Sequence, residues 1–114
     1  MKRIPGDHLG AYFEAFTKRY LLDAAPERVD VEVLEPRWGD WRAVEGVRLM
    51  GITYDPHESA LEFELEPGDH RVYHPVDVWV VEEPDGFVSG IDLVRADGTR
   101  EVVRIQRMGV QRVD

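Results

Sequence analysis

From Val29 onward, apolar side chains recur at every second position. Val29, Val31 and Val33 alternate with Asp30 and Glu32, and Leu61, Phe63 and Leu65 alternate with Glu62 and Glu64. Successive side chains of an extended strand point to opposite faces, so this period builds a sheet with one apolar and one polar face. The polar face is acidic: between Asp55 and Asp92 the chain carries eleven carboxylates and one basic side chain, Arg71. The plain reading is a solvated outer face that keeps the chain in solution.

The charge excludes some partners. The formal net charge is −9, and the carboxylate-rich middle is only slightly offset by a final stretch with five arginines. Such a field repels a phosphate backbone, whose neutralisation supplies most nucleic-acid affinity, and it disfavours anionic membrane surfaces equally. Nucleic acid and membrane are therefore not expected partners. No apolar run approaches the roughly 18 residues of a spanning helix. Met1-Lys2-Arg3-Ile4-Pro5 lacks the apolar stretch of a signal peptide. Zero cysteines remove disulfides, thiolate metal sites and a cysteine nucleophile, which fits a cytoplasmic protein. Twelve arginines against two lysines, with no asparagine, fit a hot environment or a high-GC genome equally.

The 114 residues read as one domain, 1–114. A helix is expected over 7–22, with Asp7 as its N-cap. Leu9, Tyr12, Phe13, Phe16 and Tyr20 form its apolar stripe, and Ala24-Ala25-Pro26 breaks it. Strands are expected at 29–35, 46–54, 59–65, 71–81, 87–95 and 100–107. Glu35 to Trp41 reads as a loop. The apolar parity slips between Leu49 and Met50, beside Gly51, which points to a bulge. Pro75 cannot donate to a ladder, so the fourth strand lies at an edge or breaks there. For the last hairpin, matching like with like favours Ile91 opposite Ile105, Leu93 opposite Val103 and Arg95 opposite Glu101, across an odd-length loop. The fold class is α+β: one N-terminal helix packed on a curved, about six-stranded antiparallel meander sheet, partly closed or barrel-like. The helix can cover only part of that sheet.

The residues that carry chemistry are sparse. His70 and His74 share a face on a strand but sit about 13 Å apart at roughly 3.3 Å per residue. One zinc needs each nitrogen near 2 Å, so no metal site is expected unless the chain folds back at Pro75. Ser59 lies near His57 and Asp55, yet residues so close on an extended segment make no triad, and no G-x-S-x-G elbow is present. There is no G-x-G-x-x-G and no Walker-type lysine loop. Glu62 and Glu64 face outward together, unlike a glycosidase pair across a cleft. No catalytic residue, metal or cofactor is expected.

Trp38-Gly39-Asp40-Trp41 is the unusual surface motif. Two tryptophans in a loop either fold back to plug an open end of the sheet, the favoured expectation, or anchor a partner. Trp79, mid-strand, is expected in the core or in a subunit interface.

Several short features taken in order carry a resemblance. They are Ile4-Pro5 leading into the helix with Phe13 and Phe16, Leu49-Met50-Gly51-Ile52 with Asp55, and Asp69-His70-Arg71-Val72-Tyr73-His74-Pro75. The closing Ile91-Asp92-Leu93, Asp97-Gly98 and Val102-Val103-Arg104-Ile105 complete the pattern. The chain resembles a family of small bacterial proteins of about this length that carries only a domain-of-unknown-function label. The segment from Trp38 to Val44 and the Gln111 tail look like departures. The resemblance implies a stand-alone cytoplasmic domain and brings no activity, cofactor or site residue.

Three functional readings follow. The first is a non-enzymatic domain that binds a protein partner or a second copy of itself, as a homodimer, through Trp38, Trp41 and Trp79. The alternative is a small-molecule or metal-binding protein or enzyme with a pocket near His70, His74 and Asp77, walled by Tyr73 or Trp79. A third, an acidic mimic of nucleic acid, predicts salt-sensitive capture of basic proteins.

Overall fold

The computed structural model describes residues 1–22 and 27–107. Eight strands form one antiparallel sheet: β1 (Lys2–Arg3), β2 (Glu27–Glu35), β3 (Gly39–Asp55), β4 (Ala60–Leu65), β5 (His70–Tyr73), β6 (Pro75–Glu82), β7 (Val88–Arg95) and β8 (Arg100–Arg107). Their order is β1-β6-β7-β8-β2-β3-β4-β5. The sheet curls into a half-barrel with the helical segment packed on it, so the α+β reading of a helix on a curved antiparallel sheet holds. The strand count does not: among the described residues there are eight rather than six.

The difference arises at two places. The N-terminus adds the two-residue β1, whose Arg3 lies opposite Trp79 of β6. The expected strand at 71–81 breaks into β5 and β6 at His74, whose φ of 53° turns the chain out of extended geometry. A proline follows, fixing its own φ and restricting His74. β5 pairs with β4 and β6 with β7, so two strands separated by one residue lie toward opposite ends of the sheet. The His74 N–H donates to Ser59 O at 2.6 Å, and its carbonyl accepts the Ala96 N–H at 2.8 Å. That residue therefore ties the two limbs of the half-barrel together.

The segment from 35 to 41 is mostly not loop. β2 reaches Glu35 and β3 restarts at Gly39, leaving Pro36 to Trp38 as the turn. Gly39, at φ 84°, makes that tight reversal without a Cβ clash. The bulge does fall where the parity slips, between Leu49 and Gly51 against β4.

The helical segment opens with a 3-10 turn (Gly6–His8), continues as α1 (Leu9–Phe16) and widens into a π turn over Thr17–Leu21. Asp7 is not the N-cap. It lies inside the opening turn, Pro5 precedes that turn, and neither cap position is held by a side-chain hydrogen bond. The break expected at Ala24-Ala25-Pro26 lies outside the described residues. Leu9, Phe13 and Phe16 are buried as the stripe requires, each burial contributing roughly 1.5–3 kcal/mol. Where β3 runs past the start of β2, its edge is met by Thr17. The Thr17 hydroxyl accepts the Ile52 N–H at 2.9 Å and donates to Ile52 O at 3.1 Å. On the other flank Phe16 and Tyr20 pack on Phe87, with ring centroids 5.6 and 5.4 Å away, and the Tyr12 hydroxyl bonds Glu82.

Candidate functional site

Hydrogen-bonded registers decide which side chains share a face, because directly opposed residues project to the same side. Val78 lies opposite Leu93, Leu93 opposite Glu101, Glu101 opposite Val33, and Val33 opposite Trp41. Val78, Leu93 and Val33 are buried core residues, so this row lies on the concave face. It therefore brings a carboxylate, Glu101, and an indole, Trp41, onto the inside of the half-barrel.

Glu101 is 1% exposed. Its Oε1 lies 2.7 Å from His70 Nε2, and its Oε2 accepts from Arg95 Nη1 at 3.1 Å. The other Arg95 terminal nitrogen reaches Asp97 Oδ2 at 2.8 Å. Burial works against the Arg95 charge, but its hydrogen bonds to Glu101 and Asp97 outweigh it and hold the guanidinium above its ordinary value. Asp97 is held below the usual carboxylate range, first by the Thr99 backbone N–H and also by Arg95. The network spans the half-barrel: His70 comes from β5 at one end of the sheet, Glu101 and Arg95 from β8 and β7 in the opposite limb.

His70 also forms part of the wall of a cleft of about 380 Å³ between β3 and the β4–β5 turn, with Ala43, Val44, Val47, Leu65 and Pro67 as its apolar lining. Of the three polar groups expected to converge, only His70 sits here. His74 is at the exposed corner. Asp77 lies on β6 and takes Arg3 Nε at 3.1 Å, while Tyr73 and Trp79 are both exposed and line no wall of the cleft. Among the described residues, no three histidine, aspartate or glutamate side chains form a group able to hold a metal ion.

The tryptophans are not plugs. Trp38, at the hairpin turn, is 79% exposed and Trp41 is 50% exposed. Trp41 Nε1 donates to Glu35 Oε1 at 3.1 Å, which fixes the ring on the hairpin. Trp79 is not core either: it is 38% exposed, and its neighbours Val78 and Val80 are buried, so it faces outward. Trp41 and Trp79 thus lie on opposite faces of the sheet, and the three rings do not form one patch.

Of the Glu101–His70–Arg95 network, the Arg95–Glu101 contact was expected, although it forms diagonally rather than directly across the strands, while His70 was not expected there. Glu101 has the parity of Val103 and Ile105, which alone places it inward. The partner His70 is 31 residues away and reaches it only through curvature.

Comparisons with known proteins agree with the resemblance. Residues 1–111 match the family of unknown function DUF5335, and the chain belongs to that family. An uncharacterized protein of Aquifex aeolicus (strain VF5) is 37% identical over 106 residues, covering 92% of this chain and 91% of the relative. No solved structure matches. No helix among the described residues is long and apolar enough to cross a membrane.

Proposed function

We propose that this member of the DUF5335 family is a non-enzymatic domain that docks a protein surface through the β2–β3 hairpin, a second copy of the chain being the first such surface. The observation that carries this is the exposure of Trp38 and Trp41, at 79% and 50%, on one hairpin. Tryptophan is enriched among residues that dominate binding energy, and a ring already fixed by a hydrogen bond loses little freedom on docking. Trp79, on the opposite face, belongs at most to a separate contact. The absence of cysteine supports a cytoplasmic setting. Size-exclusion chromatography with light scattering tests the homotypic part. The expected result is a mass above 13.1 kDa that rises with concentration and returns to monomer in a Trp38→Ser/Trp41→Ser double variant. A monomer at high micromolar concentration would remove self-association.

A second reading has its own observation. A buried carboxylate tied to a half-buried histidine beside an open cleft is the kind of arrangement found where proteins hold small ligands. It retains His70 from the expected pocket, drops His74 and Asp77, sets Glu101 behind the His70 ring, and makes the cleft a small-molecule site. Thermal-shift screening of wild type against metabolites, repeated with His70→Ala, tests it: stabilisation lost in the variant supports it, and no stabilisation by any compound removes it.

A further inference from the structure

We infer that the cleft beside His70 binds an alkylammonium group. This rests on the second reading above, that the cleft takes a ligand, and adds the ligand's chemistry. Among the described residues, the polar side chains on its wall are Glu45, Asp69 and His70, and no lysine or arginine lines it. His70 Nε2 lies 2.7 Å from Glu101 Oε1. A carboxylate can only accept, so Nε2 carries the hydrogen and Nδ1 of the neutral ring is an acceptor. Asp69 gives one oxygen to the Leu65 N–H at 3.4 Å, and Glu45 meets Arg42 at 3.5 Å, long contacts that leave acceptor capacity on both.

Glu45 and Asp69 are therefore acceptors, and so is His70 wherever its ring is neutral. A ligand that satisfies such a wall must bring donors, and a positive charge beside Glu45 and Asp69 is favoured over a negative one. An ammonium supplies three N–H donors, and a short aliphatic stem can lie along Val44, Val47 and Leu65. A carboxylate or phosphate would place acceptor against acceptor and like charge against like. Glu101, already bonded to both His70 and Arg95, stays behind the ring and fixes its donor side. The group can come from a free amine or from a lysine side chain of a bound protein.

The test is an NMR titration of the full chain with n-butylamine, with putrescine and with a capped Gly-Lys-Gly peptide, against n-butanol and butyrate. The expected result is saturable shifts confined to His70, Val44, Val47 and their neighbours with amines alone. Glu45→Gln, which leaves the fold in place, and His70→Gln, which keeps a donor toward Glu101, should each weaken binding about threefold to tenfold. Binding of the peptide but not the free amines supports the inference and assigns the source to a protein lysine. Equal binding of n-butanol or butyrate keeps the cleft as a ligand site and overturns the ammonium. Amine shifts scattered over the acidic surface and unchanged in Glu45→Gln also overturn it. No shift with any probe overturns both.

Discussion

Burying a carboxylate costs several kcal/mol unless its oxygens are bonded and its charge is met, and Glu101 has both oxygens engaged, one by His70 and one by Arg95. This arrangement is a staple, because among the described residues β5 has no ladder partner beyond β4 and His70–Glu101 carries it across to the far limb. A double-mutant cycle of His70→Ala and Glu101→Ala, each of which removes the contact, read by urea denaturation, should give a coupling of about 1–3 kcal/mol. A coupling within experimental error of zero would mean that the two groups are neighbours without being a tie. Asp97 makes a separate prediction. Its folded carboxyl sits below its ordinary value of 3.8, chiefly through the Thr99 N–H. A depressed folded value stabilises the fold above the unfolded value and loses that contribution as pH falls through the folded one. The urea midpoint of wild type should therefore fall more steeply below about pH 4 than that of Asp97→Asn, which keeps the turn but does not titrate. Parallel profiles would contradict the assignment.

The last hairpin shows where element-level reading stops. An odd loop was legible from the like-with-like pairing, and the loop Ala96 to Gly98 is odd, with the Arg95 N–H donating to Thr99 O at 2.8 Å. The register lies two residues from the one expected: Ile91 is opposite Val103 and Leu93 opposite Glu101. Gly98, at φ 88°, lets the tightest three-residue turn form, and turn geometry outranks side-chain matching. Charge pairing then becomes diagonal, with Arg100 on Asp92 and Arg95 on Glu101. The fourth strand shows the same limit. Pro75 marked an edge or break, but not that the halves part toward opposite ends of the sheet through a single residue. His74 takes a left-handed φ of 53° there, a conformation that is costly for any residue with a Cβ and worst for a β-branched one. His74→Gly should match or exceed wild type in thermal midpoint, and His74→Val should fall well below both. If His74→Val melts with wild type, the corner is not under conformational demand.

At the scale of the molecule, alternation from Val29 onward disclosed the sheet, and the helical spacing of Leu9 to Tyr20 disclosed the helix that packs on it, because both follow from local period. It did not disclose where Arg95, Glu101 and His70 gather, since that requires three strands and a curl. The same asymmetry makes the proposed homotypic docking open to a test that separates it from capture of a basic partner. A net charge of −9 means that two copies repel one another at long range, whereas a basic partner is attracted. Salt shortens the Debye length from about 30 Å at 0.01 M to about 8 Å at 0.15 M. Repulsion between copies is screened while the burial of Trp38 and Trp41 is not, so self-association should tighten as salt rises across that range. A complex with a basic protein or an acidic-mimic target should loosen instead. Sedimentation velocity at the two ionic strengths reads the sign directly. A dimer that dissociates as salt is added would show that charge holds it together, and the hairpin tryptophans would then lose their place as the anchor.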